Sequence, residues 1–139
     1  LLAAGILAAG VEVAAVHPEP LVFSNAYAGG PERGWRIQCV GDDWGQGTPS
    51  LARAQAERGW PRLHYEPYST GDPERFGLDA RRWAGAPLLT PASRLVAVHA
   101  ATFTREPERM GLLEGLEPLA VINGILVFEV PAERLVRGG

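Results

Sequence analysis

The chain has 139 residues with 12 Glu, 4 Asp, 13 Arg and no Lys, giving a formal charge of -3 and a pI near 5.6. That length fits one domain able to bury about two-thirds of its unfolded surface. The acidic balance and the dispersed arginines argue against a nucleic-acid partner, and a single cysteine, Cys39, excludes an internal disulfide or a cysteine metal cluster.

Leu1 to Val16 is apolar apart from Glu12 and rich in alanine, and reads as a helix. It is shorter than the roughly 20 residues a membrane span needs. Two readings stand: a buried alanine-rich helix packed as the first element of the core, or the end of a transmembrane segment, which the mid-pattern start at Leu1-Leu2 favours. His17-Pro18-Glu19-Pro20 breaks it, because two prolines spaced by one residue cannot continue a helical ladder. Residues 17–139 are then expected to form a single domain. Leu21 to Ala28 reads as a short apolar helix ended by Gly29-Gly30-Pro31, and Trp35 to Val40 as a first strand, with Cys39 as a buried tenant.

Gly41-Asp42-Asp43-Trp44-Gly45-Gln46-Gly47 is a glycine-bracketed acidic turn between that strand and a helix. The helix runs from about Pro49 to Arg58, with Thr48 or Pro49 at its start and Gly59 at its end. Arg62 to Tyr68 follows as a second strand. Its Arg62, His64, Glu66 and Tyr68 share one face, and Leu63 and Tyr65 the other. Asp72 caps a short helix from Pro73 to Phe76 that stops at Gly77. Residues 79–93, containing Arg81-Arg82-Trp83, read as an irregular connection with a solvated basic stretch.

Leu95 to Phe103 is the clearest strand, a run consistent with burial on both faces and interrupted by His99 and Thr102. Pro107 to Leu116 reads as a third amphipathic helix, capped by Thr104. Asn123-Gly124 between two β-branched runs, within Leu119 to Val130, predicts a hairpin. The order of elements implies an α/β fold: a small, mainly parallel sheet with helices on its faces and a C-terminal antiparallel hairpin.

In such a sheet the C-terminal ends of parallel strands lie together, so the sequence nominates Asp42, Asp43, Trp44, Gln46, Glu66, Tyr68 and His99 as ligand-binding residues. Carboxylates accept hydroxyl hydrogen bonds and an indole covers apolar ring C–H groups, a combination suited to a sugar. The bland reading is that Asp43 caps the turn, Trp44 anchors the loop and His99 is a satisfied interior residue. His64, His99, Asp42, Asp43 and Glu66 are metal-ligating types without diagnostic spacing, so no metal is expected. Adjacent Asp42 and Asp43 cannot flank a glycosidic bond, whereas Glu66 with Asp43 could. Neither a Walker loop nor a dinucleotide fingerprint nor a nucleophile elbow is present, and no cofactor is expected.

With these residues in view, the stretch Pro18 to Leu51 resembles bacterial membrane glycosyltransferases of the protein-mannosyltransferase-like superfamily, in the segment after their last membrane helices. The resemblance rests on Phe23-Ser24-Asn25, Ala28-Gly29-Gly30-Pro31-Glu32, Gly34-Trp35-Arg36 and, most specifically, Asp43-Trp44-Gly45-Gln46. Tyr65 to Phe76 is similar to the family's strand and Gly-x-Asp-Pro turn, and Ile122 to Val130 to its closing strand. Asp42 stands where the family often has Asn, and Gly47 where it has an acid.

The resemblance implies a domain on the extracytoplasmic face, joined to the membrane portion of a parent enzyme that uses lipid-linked sugars. It also places the family's catalytic acid in an early loop that this chain does not contain. The expected function is therefore a non-catalytic domain recognising a lipid-linked sugar or glycan acceptor. Against it stand a free-standing α/β module for a small polar ligand, with Leu1 to Val16 as its first core helix, and a hydrolase using Glu66 or His99.

Overall fold

A computed structural model of the protein describes residues 2–15, 29–37, 45–67, 72–83, 90 and 93–135. The fold is α/β. Its centre is a five-stranded sheet in the order β2-β1-β3-β5-β4, built from β1 (Leu63–Glu66), β2 (Ala80–Arg82), β3 (Leu95–His99), β4 (Ala120–Ile122) and β5 (Ile125–Glu129). β1 pairs in parallel with β2 on one side and β3 on the other. β5 then adds antiparallel to β3, and β4 closes the sheet antiparallel to β5. The sheet is thus evenly mixed: parallel through its first half, antiparallel through its second.

Period-two alternation sorts the strands onto two cores. Leu63 and Tyr65 of β1, Leu95 and Ala97 of β3, and Ile125 and Val127 of β5 face one layer. There they meet Leu51 and Ala52 of helix α3 (Thr48–Arg58). Val96, Val98, Leu126 and Phe128 face the other layer, against Met110 and Leu113 of a 3₁₀ segment, Pro107–Leu113. Ile125 to Phe128 is fully buried, as expected for a strand covered on both faces.

Local signals set several boundaries. Asp72 caps the 3₁₀ turn Pro73–Phe76 through a 3.1 Å bond from the Glu74 N–H to its carboxylate, and Gly77 ends the turn in the left-handed region. Asn123 and Gly124 both take positive φ, 48° and 77°, which is the type I′ geometry that joins β4 to β5.

Elsewhere the structure corrects the sequence reading. Trp35 and Arg36 are not strand: α2 (Gly30–Arg33), started by a proline in its first turn, runs straight into a 3₁₀ turn, Gly34–Arg36. Trp35 there meets Phe103 edge-on at 5.9 Å, so tertiary packing overrides its β propensity. Residues 38–40, Cys39 and the short helix expected over Leu21 to Ala28 lie outside the described residues. The connection over 79–93 contains edge strand β2, held by the register Leu63↔Ala80 to Tyr65↔Arg82, with Arg81 and Arg82 exposed and Trp83 buried.

β3 stops at His99 because helix α4 (Ala100–Arg105) begins at once. The Ala100 N–H bonds the Gly124 carbonyl at 2.8 Å, and Thr104 turns its hydroxyl back to the Ala100 and Ala101 carbonyls instead of capping the next element. That next element is 3₁₀ over Pro107–Leu113, not an α-helix. A short helix, α5 (Ala132–Leu135), follows β5.

Helix α1 (Leu2–Ala15) forms as expected but is not a core helix. Ile6 and Leu7 are 66% and 70% exposed, and Val11 and Val13 are exposed as well. No described helix is long and apolar enough to cross a membrane.

Candidate functional site

The strand order has a switch point between β1 and β3. From the C-terminal end of β1 the chain leaves toward β2, and from the end of the adjacent parallel strand β3 it leaves the opposite way, through α4 toward β4 and β5. In open α/β sheets ligands bind where neighbouring parallel strands send their connections apart.

Three polar side chains meet beneath this point. Tyr65 of β1 and His99 at the end of β3 lie on the α3 side of the sheet, 1% and 2% exposed. The Tyr65 hydroxyl is 3.1 Å from Thr48 Oγ1 and 3.5 Å from His99 Nε2, with the two rings 6.4 Å apart and tilted by 36°. Thr48 is the first residue of α3 and is buried. A phenol both donates and accepts, so Tyr65 can relay a hydrogen bond between the threonine and the imidazole. The relay is too deep to react with a ligand itself. It fixes the start of α3 against the ends of β1 and β3, and Gly45-Gln46-Gly47 leads into that helix, with the Gly45 and Gly47 carbonyls accepting from the N–H groups of Thr48 and Leu51.

Of the residues nominated from sequence, Gln46 and His99 therefore lie on this side of the strand ends. Asp42, Asp43, Trp44 and Tyr68 lie outside the described residues. Glu66 does not join His99, because one step along β1 from Tyr65 turns it to the opposite face. There its Oε1 accepts a 2.9 Å bond from Arg109 Nη2, and Arg109 Nη1 also pairs with Glu106. Both carboxylates raise the Arg109 pKa further, that of Glu106 most.

Glu66 is 8% exposed and its Oε2 has no partner among the described residues, as is true of Nδ1 of buried His64 on the same face. Burial lowers the His64 pKa, helped by the positive field of Arg81 and Arg62 and opposed by a hydrogen bond to the Ser93 backbone. His64 is thus a neutral imidazole at neutral pH. Among the described residues no three His, Cys, Asp or Glu side chains are grouped to hold a metal ion. Nor do Glu66 and His99 form an acid–base couple, since the sheet separates them.

Thr48 and Tyr65 were not among the nominated residues. The one signal available was Tyr65's place on the apolar face of its strand, where a phenol needs a polar partner. A groove at the far edge of the sheet, lined by Arg33, Trp35 and Arg58, had no sequence signature at all. Compared with known proteins, the chain matches no family model, no curated protein and no solved structure.

Proposed function

We propose that this chain is a non-catalytic recognition domain for a sugar or glycan acceptor, carried at the extracytoplasmic face by the membrane portion of a glycosyltransferase-like protein. The observation that carries the reading is the switch point between β1 and β3, with the buried Thr48–Tyr65–His99 relay at its strand ends and the Asp-Trp-Gly-Gln motif leading into the helix that Thr48 begins. The link to glycosyltransferases rests on the resemblance in residues 18–51, 65–76 and 122–130.

Two further features support it. Glu66, the carboxylate a hydrolase would need, is held by Arg109 on the other face, which favours recognition over bond cleavage. Helix α1 is apolar apart from Glu12 and exposes Ile6, Leu7, Val11 and Val13, a surface that a membrane or an apolar partner would cover. The same exposure weighs against a free-standing module with α1 in its core.

The test is titration of the protein with a panel of hexose and pentose methyl glycosides, followed by amide chemical shifts. Shifts clustered at Gln46, Thr48 and His99, weakened in Tyr65→Phe, are expected. No response to any glycoside, or responses only remote from β1 and β3, would refute the reading.

A further inference from the structure

Edge strand β4 is bordered by a groove of about 700 Å³, walled on one side by the α2 region through Arg33 and Trp35, on another by Arg58 at the end of α3, and floored by Leu119 to Val121. Among the described residues β4 pairs only with β5, which leaves its other edge unpaired among them. In a hairpin with a two-residue turn the flanking pair, Ile122 and Ile125, exchanges both ladder bonds, and the alternation then points the N–H and C=O of Val121 outward. An exposed strand edge is a template for another strand.

The charges around this edge are specific. Arg36 is neutralised by Glu117 and lies over Trp35 at 5.1 Å. Arg58 lies over Trp60 at 4.9 Å, which orients its guanidinium without neutralising it. Among the described residues neither Arg33 nor Arg58 has a carboxylate partner. The groove's lining thus holds three arginines against Glu32 and Glu117, and two of its guanidinium groups are without a carboxylate partner among the described residues, on a protein whose net charge is -3.

We propose that the groove is a docking site for an extended acidic peptide segment of a partner protein, which adds as a sixth strand beside β4. Its backbone bonds the outward N–H and C=O of Val121, while side-chain carboxylates on either side of the strand are received by Arg33 and Arg58. This site lies at the opposite edge of the sheet from β2 and is separate from the β1–β3 switch point, so it stands whether or not a sugar binds there.

The test uses an end-capped octapeptide of alternating Glu and Val as probe. Controls are the same peptide with Lys for Glu, a version N-methylated at alternate residues, and glutarate as a small dianion. The Glu peptide is expected to bind, to slow amide exchange at Val121, and to weaken with added salt. Arg33→Glu and Arg58→Glu each reduce affinity by about tenfold, since reversal replaces a modest attraction by a comparable repulsion. Both residues are on the surface, and unchanged circular dichroism verifies that the variants fold.

Binding of the N-methylated peptide as tight as that of its parent would overturn strand addition. Glutarate matching the peptide would reduce the site to a simple anion pocket and overturn the proposal, as would affinity unaffected by both reversals. Protection of Val121 that grows with protein concentration in the absence of peptide would assign the edge to a second copy of the chain instead.

Discussion

Arg109 reaches Glu66 from 43 residues away and holds its carboxylate at 2.9 Å on the face of β1 opposite Tyr65. The contact joins the 3₁₀ segment Pro107–Leu113 to the end of a central strand, and it supplies a buried acid with the partner it has among the described residues. Removing one member of such a pair leaves the other desolvated and unpaired.

Arg109→Ala is therefore expected to lower stability by about 2 kcal/mol, the cost of stranding a mostly buried carboxylate whose partner was itself partly exposed. Adding Glu66→Gln to Arg109→Ala restores part of the loss. Urea unfolding of the two single variants and the double variant measures the coupling. Strict additivity would show that the contact contributes nothing.

His64 makes stability depend on pH in a definite direction. Its folded pKa lies below the usual 6.5, so between the two values the unfolded chain binds more protons than the folded one. Its contribution is intact above about pH 6.5 and is lost as pH falls from there toward the folded value. His64→Leu removes this component and the orphaned Nδ1 together. The wild-type minus variant difference in urea midpoint should shift against the wild type between pH 7.5 and pH 5. A difference independent of pH would contradict the assignment.

Tyr65→Phe deletes the hydroxyl between Thr48 and His99 and with it the buried hydrogen bond to Thr48. A loss of about 1–2 kcal/mol follows. Thr48→Val combined with Tyr65→Phe should cost less than the sum of the two, because they share one hydrogen bond. Thermal unfolding of the three variants supplies the comparison.

Gly124→Ala tests the hairpin. At φ 77° a Cβ meets backbone crowding that glycine avoids, and the same residue's carbonyl receives the Ala100 N–H. Destabilisation of about 1–2 kcal/mol is expected from the left-handed backbone alone. Denaturant titration with an unchanged m-value would show that the fold is otherwise kept.

Helix α1 has a direct readout. Charge introduced at its exposed apolar positions, as in the double variant Ile6→Glu and Leu7→Glu, should abolish co-flotation of the protein with phospholipid vesicles without altering the unfolding midpoint of residues 29–135. Flotation retained by the variant would remove α1 as the membrane contact.

Much of the architecture was legible because short-range rules fixed it. Asn123-Gly124 dictated its turn, Asp72-Pro73 its cap, and the run from Leu95 to His99 its double-sided burial. β2 was hidden because an edge strand of three residues, two of them exposed arginines, shows neither apolar alternation nor length. Trp35 misled for the reverse reason: an aromatic with high β propensity was claimed by packing on Phe103.

The candidate site shows the same division. His99 was read inside a strand running on to Phe103, whereas it is the last residue of β3 and α4 begins at once. Its link to Thr48 through Tyr65 spans 34 and 17 positions, a distance over which local patterning carries no information.

The position of β5 also bears on how the chain reaches this state. The strand lies between β3 and β4, yet it is the last of the five to leave the ribosome. Until residue 129 emerges, the apolar edge of β3 stands open and half the sheet has no centre, so cooperative closure waits for the end of translation of this domain. A nascent chain stalled before Ile125 would expose Val96 and Val98 without Leu126 and Phe128 to cover them, making that interval the one in which a chaperone is most needed.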